Sequence, residues 1–201
     1  MALGRLVLRL TVGGLMAGHG LQKLRGDFGG PGLKGTEEMM RSLDMHPAKQ
    51  QAMAVAVTET VGGALTALGL FSPIGPAMIS GSMATAIKKV HAKNGIWVTN
   101  GGFEYNLVLL AASFALAADG PGLISLDALF RRHRSGIHWG LLELGLALGA
   151  AAGNLALAER LKPSTSAEVP PPSAHESAPD AGSPTADTGG AAGAEASSAR
   201  A

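Results

Sequence analysis

The sequence contains no cysteine, few aromatic residues and little charge. The absence of cysteine excludes disulfides, thiolate catalysis and Cys-ligated metal or iron–sulfur centres. A redox role would therefore need a bound cofactor or a partner protein. Charged residues make up 15% of the chain, against about 25% in a usual soluble domain. The formal net charge of +1 gives no reason to expect a nucleic-acid partner. Hydrophobic residues, by contrast, reach 46%.

The apolar residues are concentrated in five segments. These are residues 3–24, 51–71, 74–90, 103–118 and 137–158. Most approach the roughly 20 residues that a helix needs to cross about 30 Å of hydrocarbon. A helix of a soluble bundle carries polar residues every three or four positions, but residues 52–57 and 107–112 carry none. We therefore expect an all-α membrane protein with five helical segments, the fifth of them C-terminal.

Breaks in composition divide the chain into three parts. Residues 1–130 hold the first four segments, residues 131–162 hold a basic loop and the fifth, and residues 163–201 form a Pro/Ala/Ser-rich stretch. That stretch is too poor in apolar residues to fold, so it is expected to be a disordered tail. The first segment could be misread as a signal peptide, but its continuation to a positively charged end favours a retained helix. Loop charges favour the Lys23 side in the cytoplasm.

Four ionisable residues are expected to meet at one end of the bundle. His19 and Lys23 are one helical turn apart. In antiparallel packing His19 lies about 8 Å above that end and Glu59 about 12 Å, at about 1.5 Å per residue. Glu104 begins the fourth segment on the same side. We expect these groups either to relay protons and bind a ligand, with Glu59 and Glu104 as the relay, or to fix helix register. No metal site is expected.

The opposite end of the bundle is expected to be held by ion pairs. Arg9 lies near the start of the first segment, and Asp119 and Asp127 follow the end of the fourth. A pair of Arg9 with either carboxylate would hold this end closed, and a structural role is favoured. Glu143, in the fifth segment, is also expected to serve helix packing or to lie at an interface.

Several short motifs resemble those of the DoxX family and cover about residues 5–130 in the family's order. The motifs are GHGLQKL at 18–24 after Arg9, ETVGG at 59–63 with LGL at 68–70, GGFEY at 101–105, and GPG at 120–122 with SLD at 125–127. The resemblance implies a multi-pass four-helix protein of the bacterial inner membrane. Relatives include subunits of a thiosulfate:quinone oxidoreductase, and others assemble with a superoxide dismutase and a sulfurtransferase. This chain departs from the family by its fifth helix and tail.

Three functions are compatible with these features. The first is a small membrane subunit of an oxidoreductase system, in which His19 and Lys23 bind a quinone head and Glu59 or Glu104 passes the proton. The second is a non-catalytic membrane scaffold that recruits soluble redox enzymes, of the superoxide dismutase or sulfurtransferase type, through charged loops. The third is a small-solute transporter, which ranks last because no inverted repeat is evident. The lipid bilayer is the partner common to all three.

Overall fold

The computed structural model describes residues 2–132 and 134–163, and these residues form seven α-helices and no strand. The helices are α1 (Ala2–Arg25), α2 (Gly32–Ser42), α3 (Ala48–Leu68), α4 (Ile74–Ala86), α5 (Glu104–Asp119), α6 (Leu126–Leu129) and α7 (Ile137–Arg160). The prediction of an all-helical fold is confirmed. The expected disordered tail lies, apart from Pro163, outside the described residues, and the three-part division of the chain stays a prediction.

The five long helices correspond to the five apolar segments, and their ends follow from local backbone chemistry. Gly69 ends α3 in the left-handed conformation (φ 63°), and the amide of Leu70 bonds back to the carbonyl of Leu65. Pro76 lies in the first turn of α4, where a proline costs no hydrogen bond. Beyond Ala86, α4 continues as one π-helical turn, Ile87–His91. The short α6 is capped by Ser125, whose hydroxyl accepts from the amide of Ala128 at 3.1 Å.

The long helices run antiparallel in chain order and pack as neighbours. Helix α1 packs on α3, α3 on α4, and α4 on α5, while α1 also contacts α5. Helix α7 packs against α4 and α5, and α2 covers the α1–α3 pair. We call the end of the molecule where α1, α4 and α7 finish the Lys23 end, and the opposite end the Arg9 end.

Small residues allow the closest helix contact, between α1 and α3. A Cβ atom on Gly63 would lie 2.6 Å from the carbonyl oxygen of Gly13, and one on Gly13 would lie 2.6 Å from the carbonyl oxygen of Gly63. Gly20 of α1 meets Thr60 of α3 in the same way, one turn further along. Backbone approach through such small residues is typical of helix pairs in membranes.

Large apolar side chains lie outside and many polar ones inside. Exposed residues on α1, α3, α5 and α7 include Leu3, Val7, Leu10, Leu15, Val57, Val61, Leu107, Val108, Leu141, Leu146 and Leu148. Buried polar residues include Arg9, Gln51, Glu59, Thr66, Ser80, Asn106, Ser113, Asp127 and Glu143. The apolar core consists of two small clusters. One is formed by Val12, Met16, Ile79, Met83, Leu109 and Leu116, and the other by Met40, Met45, Ala48, Ala52 and Ala158.

One helix of the described chain, α7, is both long and apolar enough to cross a membrane by length and composition. Its 24 residues reach a mean hydropathy of 1.6 in the most apolar window. A transmembrane four-helix bundle is therefore not confirmed by helix length and composition. It stays a prediction.

Candidate functional site

Lys23, Glu59 and Ser82 form a polar contact that joins three helices at the Lys23 end. The Lys23 Nζ lies 2.5 Å from Oε2 of Glu59. The other carboxylate oxygen, Oε1, accepts from the hydroxyl of Ser82 at 2.9 Å. The Glu59 side chain is 5% exposed and that of Lys23 is 20% exposed. We call these three residues the Lys23–Glu59–Ser82 tie, since they connect α1, α3 and α4.

The other two residues expected in this group lie apart from it. His19 is exposed. Among the described residues, it contacts the group through its backbone carbonyl, which accepts from Lys23 Nζ at 3.5 Å. Gly20 rather than His19 faces α3, whereas the longer Lys23 side chain reaches across. Glu104, at the start of α5, accepts from the amide of Val98 at 3.0 Å and so closes the preceding loop. The expected convergence of four side chains is thus wrong, because only Lys23 and Glu59 meet; a ligand-binding role for these residues stays a prediction.

Arg9 is buried at the opposite end, where it binds carbonyl oxygens rather than a carboxylate. Its Nε donates to the carbonyl of Ala67 at 2.9 Å, Nη2 donates to that of Ile124 at 2.6 Å, and Nη1 donates to that of Pro121. Ala67 lies in the last turn of α3, whose carbonyls lack helical partners. Arg9 therefore fixes the loop after α5 onto the end of α3.

The expected pairs of Arg9 with Asp119 or Asp127 are therefore not formed, because both acids have other roles. The Asp127 carboxylate accepts from the amides of Phe71 at 3.1 Å and Ser72 at 2.9 Å, which holds α6 against the turn between α3 and α4. Asp119 is exposed, and its backbone carbonyl accepts from Arg5 at 2.9 Å. The structural role expected for the Arg9 end is compatible with these contacts, although the partners differ.

Glu143 is fully buried between α7 and α4. Its Oε1 accepts from the hydroxyl of Ser80 at 2.5 Å, while Oε2 has no hydrogen-bond partner among the described residues. The contact fits the packing role expected for Glu143. Its partner Ser80 could not be singled out from the sequence, because a serine in a run of small residues carries no distinctive pattern.

An ionic contact of Lys162 joins the segment after α2 to the end of α7. Lys162 pairs with Asp44, and it also lies 2.7 Å from Glu159. The hydrogen bond from Lys162 lowers the pKa of Asp44, and the bond to Asp44 raises the pKa of Lys162. Among residues 2–132 and 134–163, no group of three His, Asp or Glu side chains is placed to hold a metal ion.

A comparison with protein families supports the resemblance. The DoxX family model matches residues 4–92, which cover α1 to α4 and the turn that follows. Neither a curated protein nor a solved structure matches the chain significantly. The fold of the described residues is all-helical. The match over residues 4–92, which is somewhat less than half of the chain, supports membership of the DoxX family.

Proposed function

We propose that this DoxX-family protein is a multi-pass protein of the bacterial inner membrane. The distribution of its side chains supports this proposal. Leucine and valine project outward from α1, α3, α5 and α7, while arginine, glutamate and asparagine lie inside. Exposed apolar surface of this extent marks a lipid or protein contact. Ionisable residues within membrane helices face the interior and are paired, as Lys23 and Glu59 are.

Within the membrane, we propose that the domain acts as a non-catalytic scaffold that holds soluble redox enzymes at the membrane surface. The observation that carries this proposal is the position of Glu59 inside the bundle. One of its oxygens binds Lys23 and the other binds Ser82. A carboxylate bonded in this way connects three helices, and its exposure of 5% leaves it little contact with a substrate. Enzymes of the superoxide dismutase or sulfurtransferase type are the partners that the family resemblance suggests.

The scaffold needs a polar surface, and α2 provides one at the Lys23 end. Its inward side is anchored by Thr36, which donates to the carbonyls of Lys23 and Gly32. Lys34 and Glu38 are exposed on its outer side. The loop-charge argument assigns this end to the cytoplasm, where soluble enzymes would be reached.

A quinone-binding subunit of an oxidoreductase system is the second candidate. It is favoured by the exposure of His19 beside the partly exposed Lys23. Both are hydrogen-bond donors that a quinone head could reach from the lipid side. In this candidate the Lys23 ammonium would donate the proton to the quinone head, and Glu59 would take up a replacement proton and pass it to Lys23, while Glu104, which binds the Val98 amide, would take no part.

Two double variants with matched charge changes separate these candidates. Lys34→Gln with Glu38→Gln changes the outer face of α2, and Lys23→Met with Glu59→Gln changes the interior tie. The scaffold proposal expects sulfurtransferase or dismutase activity to sediment with membranes that contain the wild-type chain. It expects the α2 variant to release that activity and the interior variant to retain it.

The lipid extract of the same purified proteins gives the second readout. Stoichiometric quinone in the wild-type protein, lost from the interior variant, would replace the scaffold with the quinone-binding subunit. Activity that sediments equally without the chain would refute the scaffold as well.

A further inference from the structure

Three arginine side chains surround a small concavity at the Arg9 end. The concavity has a volume of about 110 Å³ and lies where α5 ends and the loop to α7 begins. Its lining residues are Arg5, Asp119, Gly120, Pro121, Gly122, Leu123, Arg132, Arg134 and Ser135. Since a water molecule occupies about 30 Å³ of liquid, the space admits a group of several heavy atoms.

Each of these guanidinium groups is held in place by the protein while most of its donors remain available. Arg5 Nη1 donates to the carbonyl of Asp119 at 2.9 Å, and Arg134 Nη1 donates to that of Ser72 at 2.9 Å. Arg132 lies over the rings of Phe71 and Phe130, at 5.3 and 5.8 Å from their centroids. Because a guanidinium has five N–H donors, each arginine retains several for a ligand.

One donor at this site is buried without an acceptor. In the described part of the chain, Nε of Arg5 has no hydrogen-bond partner and is shielded from solvent. An unsatisfied buried donor is costly and calls for an acceptor. Because Nε is shielded, a ligand in the concavity would meet the Nη groups of this guanidinium rather than Nε.

The charge around the concavity favours an anionic ligand. Asp119 is the one acidic residue among the lining residues, against three arginines. The nearby carboxylate of Asp127 is already bonded to two backbone amides. Arg9 places a further positive charge close to the concavity, because it donates to the carbonyl of the lining residue Pro121. Clustered guanidinium groups of fixed orientation match the oxygens of a phosphate group, which they bind in a bidentate manner.

We propose that Arg5, Arg132 and Arg134 form a binding site for a phosphate-type oxyanion. The ligand is either the phosphate of an anionic lipid headgroup or a free oxyanion. The site is distinct from the Lys23–Glu59–Ser82 tie at the opposite end of the bundle.

Charge-neutralising variants of the full-length protein test this site. Arg132→Gln and Arg134→Gln each remove one of the proposed ligands. Arg131→Gln is the matched control, because Arg131 is exposed in the same loop, does not line the concavity, and its loss changes the net charge equally. Arg5 is left intact, since it also holds the end of α5.

Binding is measured in two arms. In the first, native mass spectrometry counts phosphatidylglycerol and phosphatidylcholine retained by the detergent-solubilised protein. In the second, thermal unfolding in neutral detergent is followed against inorganic phosphate. We expect Arg132→Gln and Arg134→Gln to weaken binding by about tenfold or more, as the loss of a charge-assisted contact implies. Arg131→Gln should bind like the wild type.

Preferential retention of phosphatidylglycerol would identify a lipid headgroup, and stabilisation by inorganic phosphate would identify a free oxyanion. The proposal is overturned if Arg131→Gln weakens binding as much as Arg132→Gln does. It is also overturned if the wild-type protein neither prefers phosphatidylglycerol nor responds to phosphate.

Discussion

Removing the two ends of the Lys23–Glu59 pair should have unequal effects on stability. Lys23→Met leaves the Glu59 carboxylate, which is 5% exposed, with the bond from Ser82. Breaking a buried ion pair by removal of one partner costs about 3–5 kcal/mol. Because Lys23 is itself 20% exposed, the pair is partly hydrated. We expect a loss near the lower bound, about 3 kcal/mol.

The reverse substitution should be milder. In Glu59→Gln the amide oxygen still accepts from Ser82, and the Lys23 ammonium can turn along its flexible stem toward its exposed side. The loss is then about 1 kcal/mol, the net value of an ordinary hydrogen bond. With both substitutions no charge is left uncompensated, so the double variant should also lose only about 1 kcal/mol. The two effects should therefore depart from additivity by up to about 3 kcal/mol.

The assay is reversible unfolding by SDS titration in mixed micelles, followed by far-ultraviolet circular dichroism. Lys49→Met, at an exposed position of α3, serves as the control and should lie within about 0.5 kcal/mol of the wild type. The reasoning fails if Lys23→Met and Glu59→Gln destabilise equally. It also fails if the two single effects add within about 0.5 kcal/mol, because the residues would then not be coupled.

Three further predictions concern other parts of the fold. Gly63→Ala should destabilise the fold by about 1–3 kcal/mol, because its Cβ would lie 2.6 Å from a carbonyl oxygen of α1. Gly14→Ala, at a position with open space around it, should stabilise the fold by up to about 1 kcal/mol. Thermal unfolding measures both changes, and equal effects would contradict the packing argument. Arg9→Met should lower the free energy of unfolding by more than about 3 kcal/mol, because it leaves three carbonyls unpaired. The folded yield in size-exclusion chromatography should fall, and an undiminished yield would refute the prediction. The lowered pKa of Asp44 means that its stabilising contact with Lys162 is present above the ordinary aspartate pKa and is lost as the pH falls through the lowered value. Protection of the amides at the end of α7 against hydrogen exchange, taken relative to the intrinsic rate at each pH, should fall over that range, and Asp44→Asn should abolish the change.

The long helices could be predicted from the sequence because long apolar runs indicate where each helix lies. Gly69 lies inside the predicted segment 51–71, yet it ends α3 in the fold, and Pro76 lies in the first turn of α4. Helix α2 was not predicted, since it is short and mostly polar and is fixed by tertiary contacts of Thr36 and Met40 rather than by an apolar run. A short, mostly polar segment of this kind lacks the long apolar run that predicts a membrane helix.

The polar contacts could be predicted only where two charges of opposite sign were involved. The offset of antiparallel helices was applied to His19 and Glu59, but the contact with Glu59 is formed by Lys23, which was expected in the same group. The partners of Arg9 are backbone carbonyls, which every residue carries and which no sequence pattern distinguishes. The contact of Ser82 with Glu59 could not be predicted for a related reason, since a hydroxyl among small residues is compatible with packing alone.

Helices α1 and α3 do not meet the length-and-composition test for a membrane span, yet they are compatible with a position in the bilayer once the direction of each side chain is considered. An average over a helix counts Arg9 and Glu59 as if lipid surrounded them, yet both are buried among polar partners. The residues that would meet lipid on the same helices are leucines and valines such as Leu10 and Val61. The cost of an ionisable group in a membrane depends on its immediate surroundings rather than on helix composition. Paired charges inside and aliphatic side chains outside would therefore let α1 and α3 lie beside α7 in the same membrane, which is the arrangement that the proposed scaffold requires.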